Sequence, residues 1–200
     1  MRKVCLWLLA VCLAVSGSLP AQTRSEGKAR RTHGRLQFQP PPGWQAFERA
    51  DLLVFVPAGS TLQNTSASIT LFPPAARRAQ PLAQWMKALL GPVRSGYRVL
   101  KTEDPAAIAS ARGLSILAMT ELLRDQTGPG LIYQLYCAVE AGGTGQLIIY
   151  SAANPHEFER GAHTVNALLE SLSVLKITPG DDRLPPASKT TGAPAGKVSI

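Results

Sequence analysis

The fold is decided by residues 113–152, which read GLSILAMTELLRDQTGPGLIYQLYCAVEAGGTGQLIIYSA. Three apolar segments in this stretch are separated by two glycine-rich turns. The middle segment alternates in polarity, and a period of two is typical of a strand. Short turns between such segments favour antiparallel pairing. The stretch therefore predicts a three-stranded meander, with strands at residues 113–123, 131–140 and 146–152.

An amphipathic helix is predicted directly after the meander. Asn154 is a natural N-cap, Pro155 suits the first helical position, and Glu157 stands three residues after the cap. Apolar residues then recur at helical spacing and predict a face that covers the sheet. That face consists of Phe158, Ala162, Val165, Leu169 and Leu172.

Upstream of the meander, the sequence predicts several short strands and one further helix. This helix begins near Pro81, and its stripe of Leu82, Trp85, Met86 and Leu89 marks a buried face. Gly91 and Pro92 are expected to end it. Strands are predicted at residues 36–39, 52–56, 66–72 and 97–101. Together these elements predict an α+β domain, an antiparallel sheet flanked by helices on both faces.

One short motif resembles a known family. Residues 38–44 read FQPPPGW, which is similar to the opening of PsbP-like domains, exported bacterial relatives of an extrinsic photosystem II protein. The order of strands and helices over residues 36–175 fits the same family. The resemblance implies an αβα sandwich and an accessory or partner-binding role. It supplies no catalytic residues.

The two ends of the chain differ from this middle part. Residues 1–21 have a short basic start, an apolar stretch and a small-residue end, which predicts a cleaved secretory signal peptide. Residues 22–35 predict a basic disordered arm, and residues 178–200 predict a disordered tail. The domain is therefore expected at residues 36–177, exported to the periplasm or the outside of the cell.

The charge of the chain does not favour nucleic-acid binding. The formal net charge is +8, yet residues 36–177 hold 11 lysines and arginines against 10 acidic residues. A nucleic-acid domain is expected to carry its positive charge on a folded face. Here the excess positive charge lies outside residues 36–177. We therefore expect at most weak contact between the basic arm and anionic membranes.

Few residues are candidates for chemistry, and no catalytic residues and no cofactor are predicted. His156, Glu159 and His163 share one helix face and are the candidate metal ligands, although the spacing of a zinc-protease helix is absent. Glu121 and Glu140 are expected as exposed cross-strand neighbours. Cys137 is expected as a buried, inert thiol.

Two aromatic residues are the candidate ligand-binding residues. Trp44 follows a rigid proline-rich turn, and Tyr97 opens a predicted strand. The function expected from all of this is an exported, non-enzymatic accessory domain that binds an envelope protein or assembly partner. The alternative is a small-ligand or metal-binding module, and a third hypothesis is a cryptic hydrolase.

Overall fold

The computed structural model describes residues 29–175. It contains, in chain order, β1 (Arg31–His33), β2 (Leu36–Phe38), β3 (Trp44–Arg49), β4 (Leu52–Pro57), β5 (Ala67–Leu71), β6 (Ala75–Ala76), α1 (Leu82–Val93), β7 (Tyr97–Thr102), β8 (Ala106–Ile108), β9 (Ile116–Asp125), β10 (Leu131–Ala141), β11 (Thr144–Ala152), α2 (Pro155–Ser171) and β12 (Ser173–Val174).

The main sheet is antiparallel and has nine strands. Its order is β3-β4-β5-β11-β10-β9-β7, with β6 added beside β11 and β8 beside β9. The predicted meander forms its centre, because β10 pairs with both β9 and β11. The predicted α+β class with a largely antiparallel sheet is therefore confirmed, and β3 and β7 are the two ends of the sheet order.

Two hydrophobic clusters hold the helices against this sheet. The first contains Val165 and Leu169 of α2, and the second contains Trp85 and Met86 of α1. Alternate residues of the central strands belong to different clusters. The α2 cluster takes Cys137, Val139, Ile148 and Tyr150, and the α1 cluster takes Tyr136, Ala138, Leu147 and Ile149.

The start of α2 agrees with the sequence prediction, whereas the end of α1 differs from it. The side chain of Asn154 accepts a hydrogen bond from the Glu157 amide, as expected of the cap of α2. Helix α1 does not stop at Gly91 and Pro92, but continues to Val93. The Arg94 amide still donates to the Leu90 carbonyl oxygen, so the last turn closes past Pro92, and the bond lost is the one that an amide at position 92 would make to Ala88.

The prediction of a disordered arm over residues 22–35 is wrong for its carboxyl-terminal part. β1 pairs with β2, and β2 also pairs with β12, so a small three-stranded sheet joins both ends of the domain. Arg30 secures it by donating hydrogen bonds to the Ser171 carbonyl oxygen and the Ser173 hydroxyl, both at 2.7 Å. The folded part therefore begins before residue 36.

Other predictions lie outside the described residues. These are the signal peptide at residues 1–21, the first part of the basic arm, and the tail at residues 178–200. Within residues 29–175, no helix is long and apolar enough to cross a membrane.

Candidate functional site

A cavity of about 250 Å³ lies between the carboxyl-terminal part of β4, the start of β3 and the first half of α2. We call it the Trp44 cavity. Its walls combine aromatic, small and charged side chains, from Trp44, Pro57, Ala67, Tyr150, Glu157, Arg160, Gly161 and Thr164. The cavity therefore contains one of the two candidate ligand-binding residues.

The turn before β3 places Trp44 at the cavity. Gly43 has a φ of +74°, a conformation that favours glycine, and the Trp44 amide donates to the Pro41 carbonyl oxygen at 3.3 Å. Trp44 then pairs with Pro57 in the sheet register. The indole is half-buried, so it contributes both to the α2 cluster and to the cavity wall.

The opposite wall is the first two turns of α2. The Glu157 carboxylate and the Arg160 guanidinium form an ion pair across i and i+3. The two side chains differ in burial, since the Glu157 side chain is 16% exposed and that of Arg160 is 62% exposed. The Glu157 side chain is thus mostly buried at the cavity, while most of the Arg160 side chain lies in solvent.

Tyr150 forms the floor and ties α2 to the sheet. Its hydroxyl donates to the Glu157 carbonyl oxygen at 2.5 Å. Its ring stacks on Phe158, with centroids 5.5 Å apart, and Phe158 also contacts Tyr133 at 5.9 Å. Burial, together with the nearby Glu157 charge, raises the pKa of Tyr150 to about 12. The hydroxyl therefore stays protonated and keeps its donor role.

The second candidate aromatic residue does not lie at this cavity. Tyr97 opens β7, at the far end of the sheet order from Trp44 on β3, and it pairs with Asp125. The two residues therefore do not form one cleft.

The candidate metal ligands are not brought together. His156, Glu159 and His163 are all exposed on α2. Within residues 29–175, no group of three histidine, cysteine or acidic side chains is arranged to hold a metal ion.

The carboxylates of the meander have partners that the sequence did not indicate. Glu121 is 4% exposed, and Arg94 binds it with two nitrogen atoms, one of them Nε at 2.8 Å. Thr102 donates to the same carboxylate at 2.9 Å. Glu140 pairs instead with Arg77. The expectation of exposed cross-strand neighbours is therefore wrong, because Glu121 is buried and lies opposite Gln134, whereas Glu140 lies opposite Gly145. The burial of Glu121 depends on Arg94, just after α1.

Cys137 lies in the core, as its strand position predicted. It is 1% exposed, and burial raises its pKa to about 12. A thiol in this state is a poor nucleophile, because attack requires the thiolate.

The edge strand β7 carries the second surface feature. Among residues 29–175, Val99 and Leu100 are the two exposed large hydrophobic side chains, each at 39%. A register shift between Val99 and Lys101 leaves Leu100 as the extra residue of a bulge. Arg98 lies opposite Arg124, both exposed, and neither forms an ion pair with another described residue. We call Arg98–Lys101 the β7 patch.

No family model and no curated protein matches the chain. The fold is similar to several solved structures. The Saccharomyces cerevisiae Ran-binding protein Mog1p shares 12% identity at a TM-score of 0.48, with 74% of this chain and 96% of that chain covered. LpqN, involved in cell envelope biogenesis of Mycobacterium tuberculosis, shares 12% identity at a TM-score of 0.49, with coverages of 76% and 88%.

Another similar structure is the cyanobacterial PsbP (CyanoP) from Synechocystis. It shares 11% identity at a TM-score of 0.49, with 74% of this chain and 91% of that chain covered. The matches thus include the family that residues 36–175 resemble in sequence. At these identities the likeness concerns the fold alone.

Proposed function

We propose that this chain is an exported, non-enzymatic accessory domain that binds a protein partner in the cell envelope. The observation that carries this proposal is the β7 patch. An exposed apolar pair on an end strand favours contact with another protein, because the row of unpaired backbone groups there can accept an added strand.

The occupant we propose is an extended segment of a different protein with acidic side chains. Arg98 and Arg124 face each other across the β7–β9 pair, and like charges directly opposite are unfavourable. A partner carboxylate between them relieves this repulsion. A second copy of this chain is disfavoured, because it brings further arginines to an edge where Arg98 already lies opposite Arg124.

We also propose that the two helices cover opposite faces of the main sheet, as an αβα sandwich. Alternate residues of a strand point to opposite faces. Tyr136 and Ala138 belong to the cluster of α1, whereas Cys137 and Val139 belong to that of α2. With both faces occupied at the centre of the sheet, the edges are left as the surfaces for a partner.

Affinity capture from envelope extract tests the binding proposal. The bait is the wild-type chain, compared with Leu100→Lys, Arg98→Glu and the control Gln84→Lys on an exposed position of α1. We expect a protein that the control retains and both β7 variants lose by about tenfold or more, as for a residue at the centre of an interface. Equal recovery with all four baits would refute the β7 patch as the binding surface.

A further inference from the structure

We propose that the Trp44 cavity binds a small organic cation, an ammonium or guanidinium group on a compact apolar body. This inference is independent of partner binding at β7. It rests on three properties of the cavity, which are its mostly buried carboxylate, the half-buried Trp44 indole in its wall and its size.

The cavity is lined by one mostly buried carboxylate, that of Glu157, and by its ion-pair partner Arg160. Glu157 is held in the first turn of α2, where its amide bonds to the Asn154 cap and its side chain is only 16% exposed. Arg160 is 62% exposed, and a long charged side chain can move into solvent at little cost. A ligand cation can therefore displace the guanidinium and take its place beside the carboxylate.

The aromatic walls favour the same charge. Trp44 and Tyr150 line the cavity together with Glu157. Electron-rich ring faces attract ammonium and guanidinium groups, and tryptophan does so most strongly. Tyr150 is 1% exposed and stacked on Phe158, so the half-buried Trp44 indole is the ring that a ligand can contact beside the carboxylate.

The volume limits the ligand to a small molecule. At about 250 Å³, the cavity lies below the range of about 300–1,000 Å³ typical of drug-sized ligand sites. Pro57, Ala67 and Gly161 supply walls without long side chains. The apolar body of the ligand is therefore compact, as in a short alkylammonium.

Nuclear magnetic resonance of the full chain provides the direct test. The probes are tetramethylammonium and butylguanidinium, with butyrate as the anionic control. The readout is the Trp44 indole N–H signal, assigned by its loss in Trp44→Phe. We expect a saturable shift with both cations and no saturable shift with butyrate. Saturation by butyrate, or no saturation by either cation, would overturn the proposal.

Two substitutions are expected to change the affinity for the cation in opposite directions. Glu157→Gln is expected to weaken cation binding by about tenfold or more, because it removes the charged acceptor. Arg160→Gln is expected to strengthen it, because it removes the internal competitor. Because Arg160 is exposed, we expect Arg160→Gln to fold normally. It therefore tests the proposal even if Glu157→Gln does not fold. Weaker cation binding in Arg160→Gln would contradict the proposal.

Discussion

Gly161 sets the distance between α2 and the sheet. A Cβ atom at this position would collide with the hydroxyl and the ring of Tyr150, which is 1% exposed and bonded to the Glu157 carbonyl. The other glycine in the two described helices, Gly91 in α1, would place an added Cβ atom within 4 Å of no residue other than its own chain neighbours. The two glycines therefore form a matched pair for a substitution experiment.

We predict that Gly161→Ala destabilises the domain by about 1–3 kcal/mol, as overpacking does. Gly91→Ala is expected to change stability by less, within about 1 kcal/mol in either direction, since the helix propensity of alanine is opposed by the restriction that Pro92 places on the preceding residue. Denaturant unfolding of both variants measures the difference. Equal stabilities would show that α2 does not approach Tyr150 this closely.

His33 gives the domain a predicted pH dependence. Burial lowers its pKa below the ordinary value of 6.5, against smaller raising contributions from hydrogen bonds at Leu71 and Phe72 and from the Glu48 charge. The unfolded chain therefore binds the proton at a higher pH than the folded chain. The free energy of unfolding is expected to fall as the pH drops below about 6.5.

The matched variants for this prediction are His33→Gln and His163→Gln, the latter at an exposed position of α2. Urea unfolding between about pH 7.5 and pH 5.5 measures the slope of stability with pH. His33→Gln should flatten that slope, and His163→Gln should leave it as in the wild type. An unchanged slope in His33→Gln would contradict the prediction.

Residue burial was the hardest property to predict from the sequence. The apolar stripe of α2 identified Val165, Leu169 and Leu172 as buried. The burial of Glu121 gave no local signal, because its partner Arg94 is 27 positions away in the chain. Trp44 was identified from its rigid turn, whereas Glu157 and Arg160 were not, since only the packing of α2 brings them to the same cavity.

At the scale of elements, helix α2 contributes much of the core. Leu169 is 3% exposed and lies in the cluster with Val165 and Leu172. We predict that Leu169→Ala costs about 2–5 kcal/mol, because it removes buried methyl groups and leaves a cavity. Denaturant melts should show this loss. A change below about 0.5 kcal/mol, typical of surface positions, would mean that this face is not buried.

The long elements were predictable because each carries many periods of its pattern. The central strands and both helices were found, with boundary errors of a few residues. The short strands β1, β6, β8 and β12 were missed, since two or three residues display no period. β3 was missed because both faces of Trp44–Arg49 are of mixed polarity, and it is placed by pairing with β4.

At the level of the whole molecule, contacts with distant residues change the interpretation of the basic arm. Arg30 bonds to the end of α2, Arg31 pairs with Glu48, and Arg35 donates to the Gly142 carbonyl oxygen at 2.7 Å. Of the five predicted arm cations, Arg24 and Lys28 lie outside the described residues. We therefore test the expected membrane contact at these two positions, because the other three arginines make contacts within the domain.

We predict weak binding to anionic vesicles, at about 1 kcal/mol for each of the two cations. Co-sedimentation at low salt compares the wild type with the double variant Arg24→Gln, Lys28→Gln. The variant should lose the binding, and added salt should do the same. Retained binding in the variant would exclude a membrane role for these residues. Deleting residues 22–35 is unsuitable, because it removes β1.

Export remains a prediction from residues 1–21. Intact-mass measurement of the protein from an envelope fraction is expected to show a chain that begins after Ala21. A mass that retains Met1 to Ala21 would rule out cleavage.

We have proposed that the β7 patch binds a protein partner in the envelope. The most direct measurement is photocross-linking in living cells, with a photoreactive amino acid at Leu100 and, as control, at the exposed Gln84 of α1. We predict one discrete cross-linked protein at Leu100, lost when Arg98→Glu is added, and no such product at Gln84. The same product at both positions, or none at Leu100, would contradict it.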